Sequence, residues 1–237
     1  MFTFDEVVAW IVASVLLGLL MSMKIVGKFL YFETAQIWLL LAFSLVMVFL
    51  FILGMKITAY YYNCNIKVKL LSFRRYWWED RFKLKWAFPI WLFLPLISFF
   101  VSLGHFLWSS ILTFDFEPMQ SRMRRKWYEM EERDIAKIGL SGPVASLIFA
   151  VILKIVGLGT LAIYPVWLAV LSLIPVGIGF KIFNGSRIMT IFVLVISLLM
   201  LFLISSANIF ALVVFAILIA AVVVFVYYKK FEQGGFG

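Results

Sequence analysis

Apolar residues dominate this chain in long uninterrupted runs, and charged residues gather between them. A run of roughly 20 apolar residues is long enough for an α-helix to cross a bilayer. Seven runs approach that length, at about 7–23, 36–55, 87–112, 138–158, 161–177, 188–204 and 208–228. Backbone groups inside lipid must find hydrogen bonds within their own segment, so each run is expected to be helical. The pattern predicts an all-α, polytopic transmembrane helix bundle of six or seven spans. The fifth run is short and holds Pro165 and Pro175, which predicts a broken or re-entrant segment. Asp5 and Glu6 precede the first run where a signal peptide would carry basic residues, and no small-x-small cleavage pattern follows. That run reads as a retained anchor. With no internal repeat or long linker, residues 1–237 read as a single transmembrane domain.

Two stretches break the apolar pattern. Segment 56–85 carries Lys56, Lys67, Lys69, Arg74, Arg75, Arg81, Lys83 and Lys85 against only Glu79 and Asp80. Such an excess of basic residues favours the cytoplasmic side, which places the N-terminus there as well. Within it, Ile66 to Leu70 alternates apolar and basic residues, the period of a half-buried strand. Arg74, Arg75, Trp77, Trp78, Arg81, Lys83 and Lys85 then mix basic and aromatic side chains as a headgroup boundary does. Two uses fit them: ordinary anchoring among membrane lipids, or binding of an anionic surface at about 1 kcal/mol per basic residue. Membrane flanks on both sides speak against nucleic acid as the partner.

In the second stretch, about 118–137, Met119, Met123, Trp127 and Met130 recur at helical spacing. Arg125 with Glu129, and Glu129 with Arg133, are four apart and can pair along one face. The basic and acidic residues between Asp115 and Lys137 cancel. This predicts an amphipathic helix lying on the membrane surface or docked on the bundle.

Composition sharpens the class and then excludes chemistry. The chain is 65% hydrophobic and 14% charged, whereas a soluble domain has about half apolar and a quarter charged residues. All 12 acidic residues fall at span edges, in loops or near the termini, and His105 and Cys64 are each alone of their kind. A metal centre needs several His, Cys, Asp or Glu ligands converging on one point. The interior of these spans is therefore expected to hold no carboxylate, no metal and no cofactor. His105 lies near Ser102, Ser109 and Ser110, where a hydrogen-bonded structural role and a proton relay are both open.

Three local patterns carry a resemblance. Gly139-Leu140-Ser141-Gly142-Pro143-Val144-Ala145-Ser146 opens a span, with small residues that let a neighbouring helix approach. Leu173-Ile174-Pro175-Val176-Gly177-Ile178-Gly179-Phe180-Lys181-Ile182-Phe183 follows the next run. Phe51-Ile52-Leu53-Gly54-Met55-Lys56 precedes Tyr60 to Asn65 and the alternating segment. Together they resemble the site-2 protease family of intramembrane zinc metalloproteases, over residues 36–190, with residues 1–35 and 191–237 as additional spans. The first is similar to A-G-P-x-x-N, with Ser146 in place of Asn. The second is similar to N-L-L-P…L-D-G-x-K-I-F. There Ser172 replaces Asn, Gly179 keeps its place, and Ile178 replaces the ligand Asp unless Asn184-Gly185 takes that register. The third is similar to H-E-L-G-H-K, with Phe51, Ile52 and Met55 where the two zinc-binding His and the general-base Glu would stand. Val101 to His105 is a competing match that keeps only the second His.

The resemblance implies a multi-pass protein of a prokaryotic, archaeal plasma membrane whose fold offers a groove for an unwound transmembrane helix. It also implies that zinc chemistry has been lost at Phe51, Ile52, Met55 and Ile178. The expected function is that of a noncatalytic adaptor or subunit binding a membrane-protein partner, with Ser146, Ser172, Gly177 and Gly179 lining the groove. An active zinc metalloprotease with unusual or borrowed ligands, a transporter and a purely structural subunit stay open beside it.

Overall fold

The structure, a computed structural model, describes residues 3–26, 29–32, 36–75, 83–104, 106–118, 132–174 and 186–203, with scattered helical positions between 214 and 225. It is mostly helical. Three helices are long and apolar enough to cross a membrane: α1 (Phe4–Ser22), α2 (Ile37–Tyr61) and α4 (Glu132–Ile155). Three shorter apolar helices accompany them, namely α3 (Ile90–Val101), α5 (Ile163–Leu173) and α6 (Arg187–Leu203). Six short strands complete the described fold: β1 (Met23–Val26), β2 (Phe29–Phe32), β3 (Cys64–Leu70), β4 (Phe73–Arg75), β5 (Lys83–Phe88) and β6 (Leu112–Pro118). They form three two-stranded sheets, β1 with β2, β3 with β6, and β4 with β5. The chain divides into two compact units, one of residues 1–49 and 67–115, the other of residues 50–66 and 116–237.

In the first unit, α1 and the first half of α2 run antiparallel. Trp10 Nε1 donates to Leu45 O at 3.1 Å, and Ser44 Oγ donates to Ser14 O at 2.8 Å. Gly18 lies so close to α2 that an added methyl would come within 2.9 Å of Leu41 Cα. Small residues at such a crossing let backbones approach, which drives helix association where water is absent. The β1–β2 hairpin joins the far ends of the two helices, pairing Met23 with Phe32 and Val26 with Phe29.

At the near end stands a carboxylate that sequence reading places outside the interior. Glu6 is only 3% exposed. Its Oε2 accepts the Thr3 N–H at 2.8 Å, and its Oε1 accepts the Val68 N–H of β3 at 3.1 Å. Glu6 lies in the first turn of α1, at the span edge where the sequence puts it, and what the fold adds is its burial. Backbone N–H donors are supplied to both oxygens, which is how a buried acid is made tolerable.

The run at 87–112 is not one continuous helix. Helix α3 stops at Val101, and the chain turns through Leu103 (φ +53°) and Gly104 (φ +82°). Residues 106–111 return without regular structure into β6. The cause is local: Ser98 and Ser102 offer hydroxyl partners to the returning backbone, so those groups need no helix.

In the second unit, α4, α5 and α6 pack on one another. Pro165 sits in the first turn of α5, where a missing N–H costs nothing, and the described helix ends before Pro175. Hydroxyls inside α5 and α6 find acceptors on their own helices: Ser172 Oγ donates to Ala169 O at 2.8 Å and Ser197 Oγ to Val193 O at 2.7 Å. Helix α2 ends as Asn63 adopts φ +52°, a conformation Asn tolerates. The run at 208–228 and most of the amphipathic segment at 118–137 lie outside the described residues, with 132–137 forming the start of α4.

Candidate functional site

The candidate site lies where the second half of α2 meets α4, within the second unit. The helices run antiparallel: the Lys137 ammonium stands 5.2 Å over the Tyr62 ring at one end, while Met55 and Phe51 meet Gly142 deeper in. Lys137 is held there by Asp134 at 3.1 Å. Phe51, Ile52, Gly54 and Met55 lie within one turn and a half of α2. Phe51 and Met55, four apart, project from one face.

Helix α4 meets that face with its smallest residues. A methyl group at Gly142 would lie 2.9 Å from Met55 Cγ, 2.9 Å from Phe51 Cζ and 3.1 Å from Met55 Sδ. One at Gly54 would lie 2.8 Å from Ala145 Cβ and 3.0 Å from Ser141 O. Both glycines are thus required by close approach. Ser141 Oγ donates its single proton either to Ile138 O at 2.6 Å or across the seam to Gly54 O at 3.1 Å. Met55 and Ile52 are completely buried and Phe51 nearly so.

The donor set at this seam does not fit zinc. A zinc hydrolase needs three N, O or S ligands and a base for the metal-bound water. Phe51 and Ile52 offer only carbon, and Met55 offers one thioether pressed against Gly142. Among the described residues, no group of three or more His, Cys, Asp or Glu converges anywhere. What the seam can do chemically is pack.

The other residues singled out from sequence are dispersed. Ser146 is buried on α4, and its hydroxyl has no hydrogen-bond partner. Ser172 is buried on α5 and turned to its own helix. Arg74 and Arg75 belong to β4, and Lys83 and Lys85 to β5. The strand pairing sets Arg75 opposite Lys83, so two basic positions face each other across the sheet. His105, Trp77, Trp78, Arg81, Gly177, Ile178 and Gly179 lie outside the described residues. Structure brings together Phe51, Met55 and Gly142, and does the same for Gly54, Ser141 and Ala145. Sequence reading missed Glu6, although Thr3-x-x-Glu6 ahead of an apolar run is the signature of a helix start with a back-reaching acid.

No protein family, no characterised protein and no solved structure matches this chain.

Proposed function

We propose that this chain is a multi-pass membrane protein with a site-2-protease-like scaffold and no catalytic apparatus, working as an adaptor or subunit that holds a partner transmembrane helix. One observation carries the reading. Phe51 and Met55, at the positions where the resemblance would put the two zinc-binding His, are packed on Gly142 at van der Waals limits. Apolar side chains there remove the cost of burying unpaired charge, and they leave a solid helix seam where a hydrolase needs a wet, metal-lined cavity.

Support for a helical partner comes from the outer face of α4. Val144, Ile148, Ile152 and Ile155 are exposed and recur at helical spacing, forming an apolar stripe. In lipid such a stripe gains nothing from hydrophobicity alone, and association depends on close packing with another helix.

The test is purification of the full chain in mild detergent, with identification of bound membrane proteins and metal analysis of the same sample. A co-purifying membrane protein, weakened by tryptophan at Ile148 and at Ile152 of the exposed α4 stripe, is the expected result. Unchanged association in both variants removes the helical partner on this face from the reading. Stoichiometric zinc with chelator-sensitive cleavage of a membrane substrate overturns it and makes the chain a protease with ligands of another kind.

A further inference from the structure

We infer that residues 90–104 and 106–111 are the two limbs of a re-entrant hairpin that dips into one leaflet of the bilayer and returns to the side it came from, its exposed face covered by lipid acyl chains. The inference rests on the membrane reading above but not on the protease resemblance. From Ile90 to Ile111 the chain holds no Asp, Glu, Lys or Arg. By composition it belongs in lipid, yet it cannot cross. Helix α3 has 12 residues, which at 1.5 Å each gives about 18 Å, against about 30 Å of hydrocarbon.

Hydrogen bonds fix both ends of the segment together. Leu71, ahead of α3, donates its N–H to Ile111 O at 2.9 Å, and its own carbonyl accepts the Trp91 N–H at 2.9 Å. One residue thus ties the first turn of α3 to the last residue of the return. Lys69 Nζ pairs with Asp115 Oδ2 at 2.8 Å just outside. A segment whose entry and exit share these bonds enters and leaves on one side.

The return solves the problem that non-helical backbone meets in lipid. Such backbone is tolerated at membrane depth only where its polar groups find partners. Ser98 Oγ accepts the Trp108 N–H at 2.9 Å, and Ser102 Oγ accepts the Phe106 N–H at 2.9 Å while lying 2.9 Å from Phe106 O. Ser98 on α3 and Ser102, four positions on and just past its end, form a ladder of hydroxyls for the returning segment. The other face is apolar and open: Phe93, Ile97, Phe100 and Val101 are exposed, Val101 by 80%, and Leu103 extends it at the turn. Trp91, tied to Leu71 in the first turn of α3, stands at the mouth of the hairpin, the residue type that favours the headgroup level.

Single cysteines in the full chain on a Cys64→Ala background, reconstituted in vesicles and probed with a membrane-impermeant maleimide before and after permeabilisation, test this. The Cys64→Ala chain alone serves as the blank. Ser72→Cys and Thr113→Cys are expected to label from the same side, Gln36→Cys from the opposite side, and Leu103→Cys and Val46→Cys from neither until the protein is denatured. Labelling of Thr113→Cys together with Gln36→Cys makes the segment a span and overturns the hairpin. Labelling of Leu103→Cys from either side, with Val46→Cys protected, overturns lipid insertion alone. Labelling of both in folded protein overturns the membrane reading beneath it.

Discussion

Glu6 Oε1 accepts the backbone N–H of Val68 at 3.1 Å, tying the first turn of α1 to strand β3 across 62 positions of sequence. The next residue, Lys69, makes a second tie at 2.8 Å to Asp115. Their environments separate their value. Glu6 is 3% exposed, whereas the Lys69 and Asp115 side chains are 60% and 45% exposed. An exposed ion pair contributes about 0–1 kcal/mol. A buried donor left without its partner costs about 1–3 kcal/mol. Glu6→Ala is therefore expected to lower thermal stability in detergent clearly, and Lys69→Ala barely. Glu6→Gln falls between them, since its amide keeps one acceptor and turns an N–H₂ toward the other backbone donor. Equal effects of Glu6→Ala and Lys69→Ala would count against the buried tie.

The two seam glycines differ in what an added methyl would strike. At Gly54 it meets Ala145 Cβ and the Ser141 carbonyl, neither of which can move without moving α4. At Gly142 it meets the Met55 side chain and the Phe51 ring edge, and a methionine can change rotamer. Overpacking costs about 1–3 kcal/mol, and Gly54→Ala should fall at the upper end with Gly142→Ala below it. Met55→Ala alone opens a cavity, but combined with Gly142→Ala it should recover part of both losses. The measurement is unfolding of the two single variants and the double. Simple additivity would mean that Met55 and Gly142 do not touch.

The spans of α1, α2 and α4 were legible because length and absence of charge suffice to mark them. Ser98 and Ser102 show where that rule stops. Periodicity treats a serine in an apolar run as a tolerated neutral residue, and it carries no sign that its hydroxyl will take the N–H of a residue ten or four positions ahead. Glu6 marks a different limit: sequence places the acid at a span edge, but its burial depends on Val68, which only the folded chain brings near. At the candidate site, the identities at 51, 52 and 55 could be read directly. Their partner Gly142 was visible only as a small residue, because register between two helices is set by packing.

The hydroxyl ladder of α3 gives a third expectation. Ser98→Ala leaves the Trp108 N–H without its acceptor, and Ser102→Ala does the same to Phe106. Each is expected to destabilise by about 1–3 kcal/mol. Hydrogen exchange should speed up at Phe106 and Trp108 while α1 and α2 stay protected. Ser98→Thr keeps an acceptor and should retain slow exchange at Trp108. Fast exchange at Trp108 in the threonine variant as well would show that the hydroxyl was not its partner.

Ser146 offers the opposite sign. Its hydroxyl is buried on α4 with no hydrogen-bond partner, and the residue is 1% exposed. Burial of a polar group without a partner is unfavourable, by about 1–3 kcal/mol on mutational scales. Ser146→Ala removes the oxygen and leaves a volume smaller than a methyl group, so the cavity left behind is slight. Stability is expected to stay level or rise, against the loss that most core substitutions bring. Ser172→Ala is the control: its hydroxyl is already bonded to Ala169 O, so deletion there removes a satisfied group and frees one carbonyl within the helix. A drop for Ser146→Ala larger than that for Ser172→Ala would mean that the Ser146 hydroxyl has a hydrogen-bond partner in the membrane-embedded protein, and would overturn its reading as a buried group without one.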